Sequence, residues 1–485
     1  GAPDLNVLPS PALIDRIEVL KDGASSTYGS DAVAGVVNII TRDGFNGFNV
    51  EAHRASTFDG GGNQTAFTLS GGISSGRGHL MGSFGFYNRS HLTVGDRDWS
   101  RCPTQVLVDP LTGEYVPEGS ILNEDGTPRC FPISTLPGVA KGMAHGYVVA
   151  PICDDETYTI CLFSRAVPDF TDAADIPGWR GVDDVADRPP YHPRQLRTSL
   201  ISPTRNYTGF VSGGYDTGVM GNAELYFEGL FHHRKSSQTS INQLQLDYQS
   251  DADYNPHPFV PTTLTAPGGG LDWGGAAVNP FGDLVIARAF VIFGNDRPSQ
   301  ESNFGRLVTG LRGDLDFAAG WRYDVNVAVN RSRGRYTYGS ALHDRVYYST
   351  YLAEVDPGFD APTRLGFDGL TYTCQVNVDV PGTGCVPAPL LDEDFLDSDI
   401  PQDYRNYIWR DITGHTRYRE TTVSAIFDGP LATLPHGKLR GAIGAEARWM
   451  RLNDVPSIEM QNQNVYQLSS AGITRGKDSV GEIFG

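Results

Sequence analysis

The chain is 485 residues long, carries a formal net charge of −19, and is rich in glycine (57) and aromatics (23 Phe, 22 Tyr, 6 Trp). That acidic balance excludes a general nucleic-acid binder, which needs Lys and Arg in excess to neutralise phosphate. No apolar run approaches the roughly 20 residues of a membrane helix, so a helical membrane protein is excluded too, while a membrane β-barrel, built from alternating segments of about 10 residues, is not.

From the N-terminus, RIEVLKDG predicts a strand closing in an Asp22-Gly23 turn, ASSTYGSDAVAG a short turn or helix bounded by Gly29 and Gly35, and VVNIIT a buried strand. A phosphate-binding loop would need GxxxxGK[ST] or GxGxxG, and neither is present.

From Phe48 onward, apolar and polar residues alternate with the period of two-faced strands. Strands are expected near 48–56, 64–73, 79–89, 205–216, 222–234, 303–315, 321–335, 417–428 and 439–452, with a tenth beginning near 480. In NAELYFEGLF, Ala223, Leu225, Phe227 and Phe231 oppose Glu224, Tyr226 and Glu228. In LRGAIGAEARW, Leu439, Ile443, Ala445 and Trp449 oppose Arg440, Glu446 and Arg448. One face is oily and the other wet.

A soluble sandwich would alternate in the same way, so the connections carry the distinction. Short turns (74–78, 217–221, 318–320, 429–438) alternate with long links (90–204, 235–302, 336–416). In an up-and-down sheet this puts every long link at one end, the asymmetry of outer-membrane barrels. Trp321 and Tyr323, just after a short turn, fit an interfacial aromatic girdle. Cys102, Cys130, Cys153 and Cys161 fall in the longest link and Cys374 and Cys385 in another, with none in an expected strand. Disulfides suit links facing an oxidising exterior. Cys374 is expected to pair with Cys385; the other four allow three connectivities, of which Cys102–Cys130 with Cys153–Cys161 is the local choice. Without a CxxC spacing, zinc is not expected.

Candidate chemistry is sparse. His232-His233 with Arg234 and Lys235 could meet an anionic ligand or be a solvated strand end. Asp392 to Asp403 (DEDFLDSDIPQD) has oxygen density that calcium could use but lacks the Gly and terminal Glu of an EF-hand loop, and a plain acidic loop is expected. Tyr347, Tyr348, Tyr351 and Trp409 could stack on sugars or an aryl ligand. No Ser/His/Asp or paired-carboxylate set is found, so no enzyme is expected.

The series Ile14, Arg16, Ile17, Glu18, Val19, Leu20, then Tyr28-Gly29-Ser30, then Gly35-Val36-Val37-Asn38-Ile39-Ile40-Thr41-Arg42 resembles the end of the plug domain of TonB-dependent outer-membrane receptors, where it leads directly into barrel strand one. Two departures are Lys21-Asp22-Gly23, where many members have Arg-Gly-Pro, and Ala34-Gly35, where many have Gly-Gly. The LKDG variant is also familiar among receptors not dedicated to iron. The resemblance implies an all-β, transmembrane antiparallel β-barrel of about 22 strands when complete, with roughly the first ten here. It divides the chain into residues 1–46, the C-terminal part of the plug, and 47–485, the first part of the barrel. It further implies a central fragment, with a signal peptide, TonB-binding segment and plug start ahead of Gly1 and about a dozen strands after Gly485. Such a fragment is not expected to insert or transport alone, since unpaired edges in lipid are costly.

The implied function is import of a scarce nutrient, a ferric siderophore or a glycan or peptide, across the outer membrane of a Gram-negative bacterium. The alternative is a passive porin or a surface adhesin built on a barrel. Implied partners are the TonB-ExbB-ExbD energy-transducing complex, outer-membrane lipid and a small nutrient ligand; no nucleic acid, cofactor or metal is implied. Tyr28, Gly29, Gly35 and Asn38 would carry the plug motif. Arg16, Glu18, Lys21 and Arg42 would face barrel-wall carboxylates, with Glu224, Glu228 and Glu446 as partners, or all would be ordinary hydrated lumen charges.

Overall fold

Period-two alternation becomes one long meander. The computed structural model describes residues 13–21, 35–41, 46–104, 106–116, 120, 122, 125–128, 147–153, 161–169, 178–181, 193–249, 257–259, 286–396, 399–435 and 437–485. Two strands come first, β1 (Ile14–Leu20) and β2 (Val36–Thr41), paired antiparallel with each other alone. Ten follow: β3 (Gly47–Ala55), β4 (Gln64–Ser75), β5 (Gly78–Arg89), β6 (Thr204–Asp216), β7 (Glu224–Ser237), β8 (Ser299–Asp314), β9 (Arg322–Ala341), β10 (Trp409–Leu434), β11 (Gly437–Val455) and β12 (Thr474–Phe484). Each pairs antiparallel with its chain neighbour, so sheet order equals chain order, with β3 and β12 at the edges of an open sheet.

All ten expected strands are present, but several run further than the amphipathic pattern. β10 has 26 residues and β9 has 20, and β12 starts at Thr474 rather than near 480. The extension at the start of β10, WRDITGHT, carries isolated apolar residues, Trp409 and the buried Ile412, that pack against the cap rather than forming an alternating oily face. Backbone pairing continues there although the oily face has ended, which is why hydrophobic periodicity alone stops short.

The faces are inverted relative to a water-soluble sheet. Leu225, Phe231, Leu307 and Trp449 are all about half exposed, whereas Ser70, Ser212, His232 and Asn330 are buried to 8% exposure or less. Exposed apolar area on this scale marks contact with lipid or another apolar surface. Among the described residues, no helix is long and apolar enough to cross a membrane.

The long links are folded, which the sequence reading missed. Tyr147–Cys153, Cys161–Asp169, Gly178–Gly181, Ser240–Gln249 and Ile286–Asp296 form a five-stranded antiparallel sheet. Helices His343–Thr350 and Gln402–Ile408 pack beside it, and Leu244, Leu246, Tyr248, Phe293, Phe395 and Tyr404 belong to one buried core. This cap at the long-link end holds the largest described core.

The disulfide Cys374–Cys385 closes a loop in the cap, with Cα atoms 6.0 Å apart. Inside it, Asn377 Nδ2 donates to Thr373 Oγ1 (2.7 Å) and to the Cys385 carbonyl (2.8 Å), while its Oδ1 accepts from Thr383 Oγ1 (2.6 Å) and the Cys385 N–H (3.0 Å). Cysteines were expected outside strands, yet Cys153, Cys161 and Cys374 end short strands within the links. The cause is that the links themselves pair into sheet. Cys153 stands opposite Cys161 in the ladder, and Cys102 is disulfide-bonded. Cys130 lies outside the described residues.

Candidate functional site

Alternation aims one set of side chains from β4 to β11 at a common polar face. The register lines up Met81, Ser212, Glu228 and Val308 on neighbouring strands, then Ala328 and Thr422 beyond them. On this face the N-terminal strand pair makes its contact. Leu13, immediately before β1, is fully buried against Met81 and Phe210, with Leu230 packed alongside.

The β1–β2 pair is tight at its far end. Gly35 has φ +137°, and a Cβ there would stand 2.6 Å from the Leu20 carbonyl oxygen, so only glycine fits without a shift. Asn38 lies opposite Glu18 in the ladder. Tyr28, Gly29 and Arg42 lie outside the described residues.

The charged residues expected to bridge plug and wall are found in separate groups. Arg16 Nε donates to Glu18 Oε1 and its Nη1 to Asp15 Oδ2, both at 2.8 Å, and Lys21 is exposed. Glu224 is taken up within the wall: Arg312 Nε donates to its Oε2 at 2.6 Å, and His79 Nδ1 lies 3.7 Å from its Oε1. Arg448 holds Glu446 at 2.9 Å. Glu228 stands beside Val308, one diagonal step from Arg306. Each acid is met by the nearest cation on its own or the adjoining strand, a cheaper arrangement than bridging two bodies.

The polar face carries separate hydrogen-bonded groups that the sequence reading did not assemble. Tyr226 Oη donates to Asp324 Oδ1 (2.7 Å), and Arg312 lies over the Tyr226 ring at 5.2 Å. Arg322 and Arg440 flank Asp428 at 3.1 and 2.6 Å. Asn330 Nδ2 and Tyr418 Oη both donate to Glu420, at 2.7 and 2.6 Å. Tyr226–Asp324, Arg322–Asp428 and Asn330–Glu420 are about 90 to 106 residues apart in sequence, so only the strand register could have found those three pairs.

His232 and His233 face opposite sides of the sheet. His232 is buried on the polar side with Nδ1 3.1 Å from Thr208 Oγ1, while His233 Nδ1 is 2.8 Å from Asn303 Oδ1. As strand neighbours they cannot serve one ligand together. In the acidic stretch, Asp392 Oδ1 accepts the Phe395 N–H at 2.9 Å, starting the helical turn Glu393–Leu396 that seats Phe395 in the cap core. Of the candidate stacking aromatics, Trp409 is spent on Phe293 (ring centroids 4.5 Å apart), whereas Tyr347, Tyr348 and Tyr351 are exposed.

A groove of about 640 Å³ opens in the cap, lined by Gln245, His343, Gln463, Tyr466, Gln467 and Ser469. His343 stacks on Tyr466 with ring centroids 6.1 Å apart. Tyr466 Oη donates to the Gln245 carbonyl (2.7 Å), and Gln467 Nε2 donates to Gln245 Oε1 (3.1 Å). Its lining has amides and rings but no Asp, Glu, Lys or Arg. It draws on three distant segments, with no local motif in any of them.

Residues 1–36 match the family TonB-dependent Receptor Plug Domain. Two solved structures resemble the chain in outline. The ferric yersiniabactin uptake receptor FyuA from Yersinia pestis shares 11% identity over 97% of this chain and 49% of its own, with a TM-score of 0.33. The siderophore receptor PiuA from Acinetobacter baumannii shares 11% identity over 97% of this chain and 51% of its own, with a TM-score of 0.28. The chain thus spans about half the length of each. The plug-domain match over residues 1–36 stands at the front of an antiparallel meander that is oily on one side and polar on the other.

Proposed function

We propose that residues 1–46 are the end of the plug and residues 47–485 part of the wall of an outer-membrane importer of a scarce nutrient, energised through TonB-ExbB-ExbD. The observation that carries this reading is the plug-domain match standing directly ahead of a wall whose apolar face is exposed. Leu225, Phe231 and Trp449 gain from acyl chains what they lose in water. The contact of Leu13 with Met81 and Phe210 supports a plug seated on the lumen side, as a gated importer needs and an open porin does not. No bond is made or broken in such transport.

For the substrate, the uncharged, amide-lined groove beside exposed tyrosines favours a glycan or a peptide. Hydroxyl and amide groups would exchange hydrogen bonds with Gln463, Gln467 and Ser469, and Tyr466 would offer a ring edge. The test is growth of a deletion strain complemented with the full-length receptor, with and without TonB, in iron-replete and iron-limited media. TonB-dependent growth on a glycan or peptide, indifferent to iron, is the expected result. Rescue by iron alone would reassign the ligand to a ferric siderophore, and uptake that persists without TonB would overturn the importer reading.

A further inference from the structure

The Cys374–Cys385 loop is closed twice, once through sulfur and once through an amide. Asn377 is 2% exposed and uses its whole hydrogen-bonding capacity within the loop. Its Nδ2 donates to Thr373 Oγ1 and to the Cys385 carbonyl, and its Oδ1 accepts from Thr383 Oγ1 and the Cys385 N–H. Both backbone polar groups of Cys385 are thus held by a residue of the short helix Gln375–Asp379 that directly follows Cys374. Cys374 itself is anchored from outside the loop. It stands opposite Leu352 in a ladder, the Gln375 N–H donates to the Tyr351 carbonyl at 2.8 Å, and Thr373 Oγ1 donates to the Pro362 carbonyl at 2.7 Å.

The backbone of the loop is shaped for this closure. Gly382 (φ +90°) and Gly384 (φ +66°) flank Thr383 in the left-handed region, where a side chain would be strained. They turn the chain so that the Thr383 hydroxyl and the Cys385 N–H reach one amide oxygen. No sulfur takes part in any of these bonds, so the dithiol can make them as well as the disulfide. Closing the loop costs chain entropy whichever bond does it. An amide that closes it first leaves the two thiols side by side.

Access sets the order of events. Cys374 and Cys385 are 0% and 1% exposed in the finished cap, out of reach of an oxidant. All four bonds of Asn377 lie within residues 373–385, so they can form before the cap core closes over Val386 and Ala388, which follow the loop directly. Six cysteines also offer many wrong pairings, and a loop that closes early withdraws two of them.

We propose that Asn377 is a positioning residue for the oxidation of this pair, with a small disulfide such as that of glutathione as oxidant. One cysteine thiolate attacks the glutathione disulfide and releases one reduced glutathione; the second cysteine attacks the mixed disulfide and releases the other. The protein pair gives up two electrons and two protons, and the two glutathione thiols carry them away. Asn377 keeps Cys385 beside Cys374 through both steps, so closure within the loop outruns capture by another cysteine. The inference is independent of the imported ligand.

The test uses the full-length receptor in mild detergent, equilibrated in glutathione buffers with a disulfide isomerase to speed exchange. Differential alkylation and peptide mass spectrometry read the oxidised fraction of the Cys374–Cys385 pair. Asn377→Ala is expected to lower the effective concentration of the two thiols at least tenfold, a rise of about 30 mV in the reduction potential of the pair. Asn377→Asp, which keeps the shape and loses both donors, should move it the same way, and Thr383→Val, which removes one bond, by less. A purely structural asparagine would lower the melting temperature and leave the potential where it was, and that result overturns the proposal. Should the Asn377 variants fail to fold, Thr383→Val and the double variant Cys374→Ser, Cys385→Ser decide. The serine pair should still protect residues 375–384 from protease, because the amide closes the loop without sulfur. Rapid cleavage there, or a Thr383→Val potential equal to that of wild type, overturns the proposal as well.

Discussion

His257 shows how one buried side chain ties the cap to pH. Its ring stands edge-on to Tyr248 at 5.0 Å and to Phe259 at 5.5 Å. Nε2–H donates to the Thr350 carbonyl at 3.0 Å, and Nδ1 accepts the Phe259 N–H at 3.2 Å, an assignment made from these partners. Both nitrogens of the neutral ring are satisfied, and a second proton would set N–H against N–H. Burial accordingly pushes the pKa down to about 4. The unfolded chain takes up a proton near pH 6.5 that the folded cap refuses, so stability is full above about 6.5 and falls as pH drops towards 4. The loss amounts to about 3 kcal/mol at the lower end. Asp392 acts in the other direction, since burial raises its pKa. The difference between wild type and His257→Gln isolates the histidine. Thermal melts of the receptor from pH 7 to 4 should show the cap transition falling more steeply in wild type than in the variant; identical slopes would remove His257 from the account.

At the scale of the strand, glycine and aromatic residues act in pairs. Tyr226 lies over Gly310, its direct partner across the ladder, and a Cβ at Gly310 would meet the tyrosine Cζ at 2.5 Å and Asn326 Cβ at 2.8 Å. Tyr336 lies over Gly414 and Trp321 over Gly429 in the same manner. Such rings cover the bare backbone that glycine leaves and help to fix register. Gly310→Val should displace the Tyr226 ring, break its bond to Asp324 and cost about 1–3 kcal/mol. The folded fraction seen by heat-modifiable gel mobility should drop, and Gly310→Val with Tyr226→Ala should recover part of it; a single variant as stable as wild type would refute the pairing. This level was partly legible in sequence. Alternation located β3 to β12 because one side of each strand has to be oily. The ends of β9 and β10 were illegible because their apolar residues, such as Ala341 and Ile412, pack into the cap and do not continue the alternating oily face. The cap was missed because its core joins Tyr248, Phe259 and Phe395 across segments whose local patterns read as links. The seating of Leu13 lacked a local signal too, because a single leucine before a strand announces nothing until the register aligns Met81 with the Ser212 side of the wall.

Over the whole molecule, three environments meet one chain: an oily outer band, a polar inner face and a cap packed like a water-soluble protein. Contact between the N-terminal pair and the wall is apolar, whereas the charges of β1 are satisfied locally by Asp15 and Glu18. On the proposed reading of this pair as the end of a plug, a small apolar contact and hydrated charges would let it be released without breaking buried ion pairs, whose disruption would cost several kcal/mol each. Leu13 is then the side chain whose removal should loosen it most. Leu13→Ala deletes a fully buried side chain facing Met81 and Phe210, a change that costs about 2–5 kcal/mol in packed sites. In the full-length receptor this should leave the wall's heat-modifiable mobility unchanged, because no ladder bond of β3 to β12 is touched. Ion conductance in planar bilayers should rise, and protease should reach the β1–β2 segment sooner. Lys21→Ala, which removes an exposed charge, should do neither. Conductance that rises equally in both variants would mean that charge rather than packing seats the plug, and conductance that rises in neither would place the main anchoring contact elsewhere on the wall.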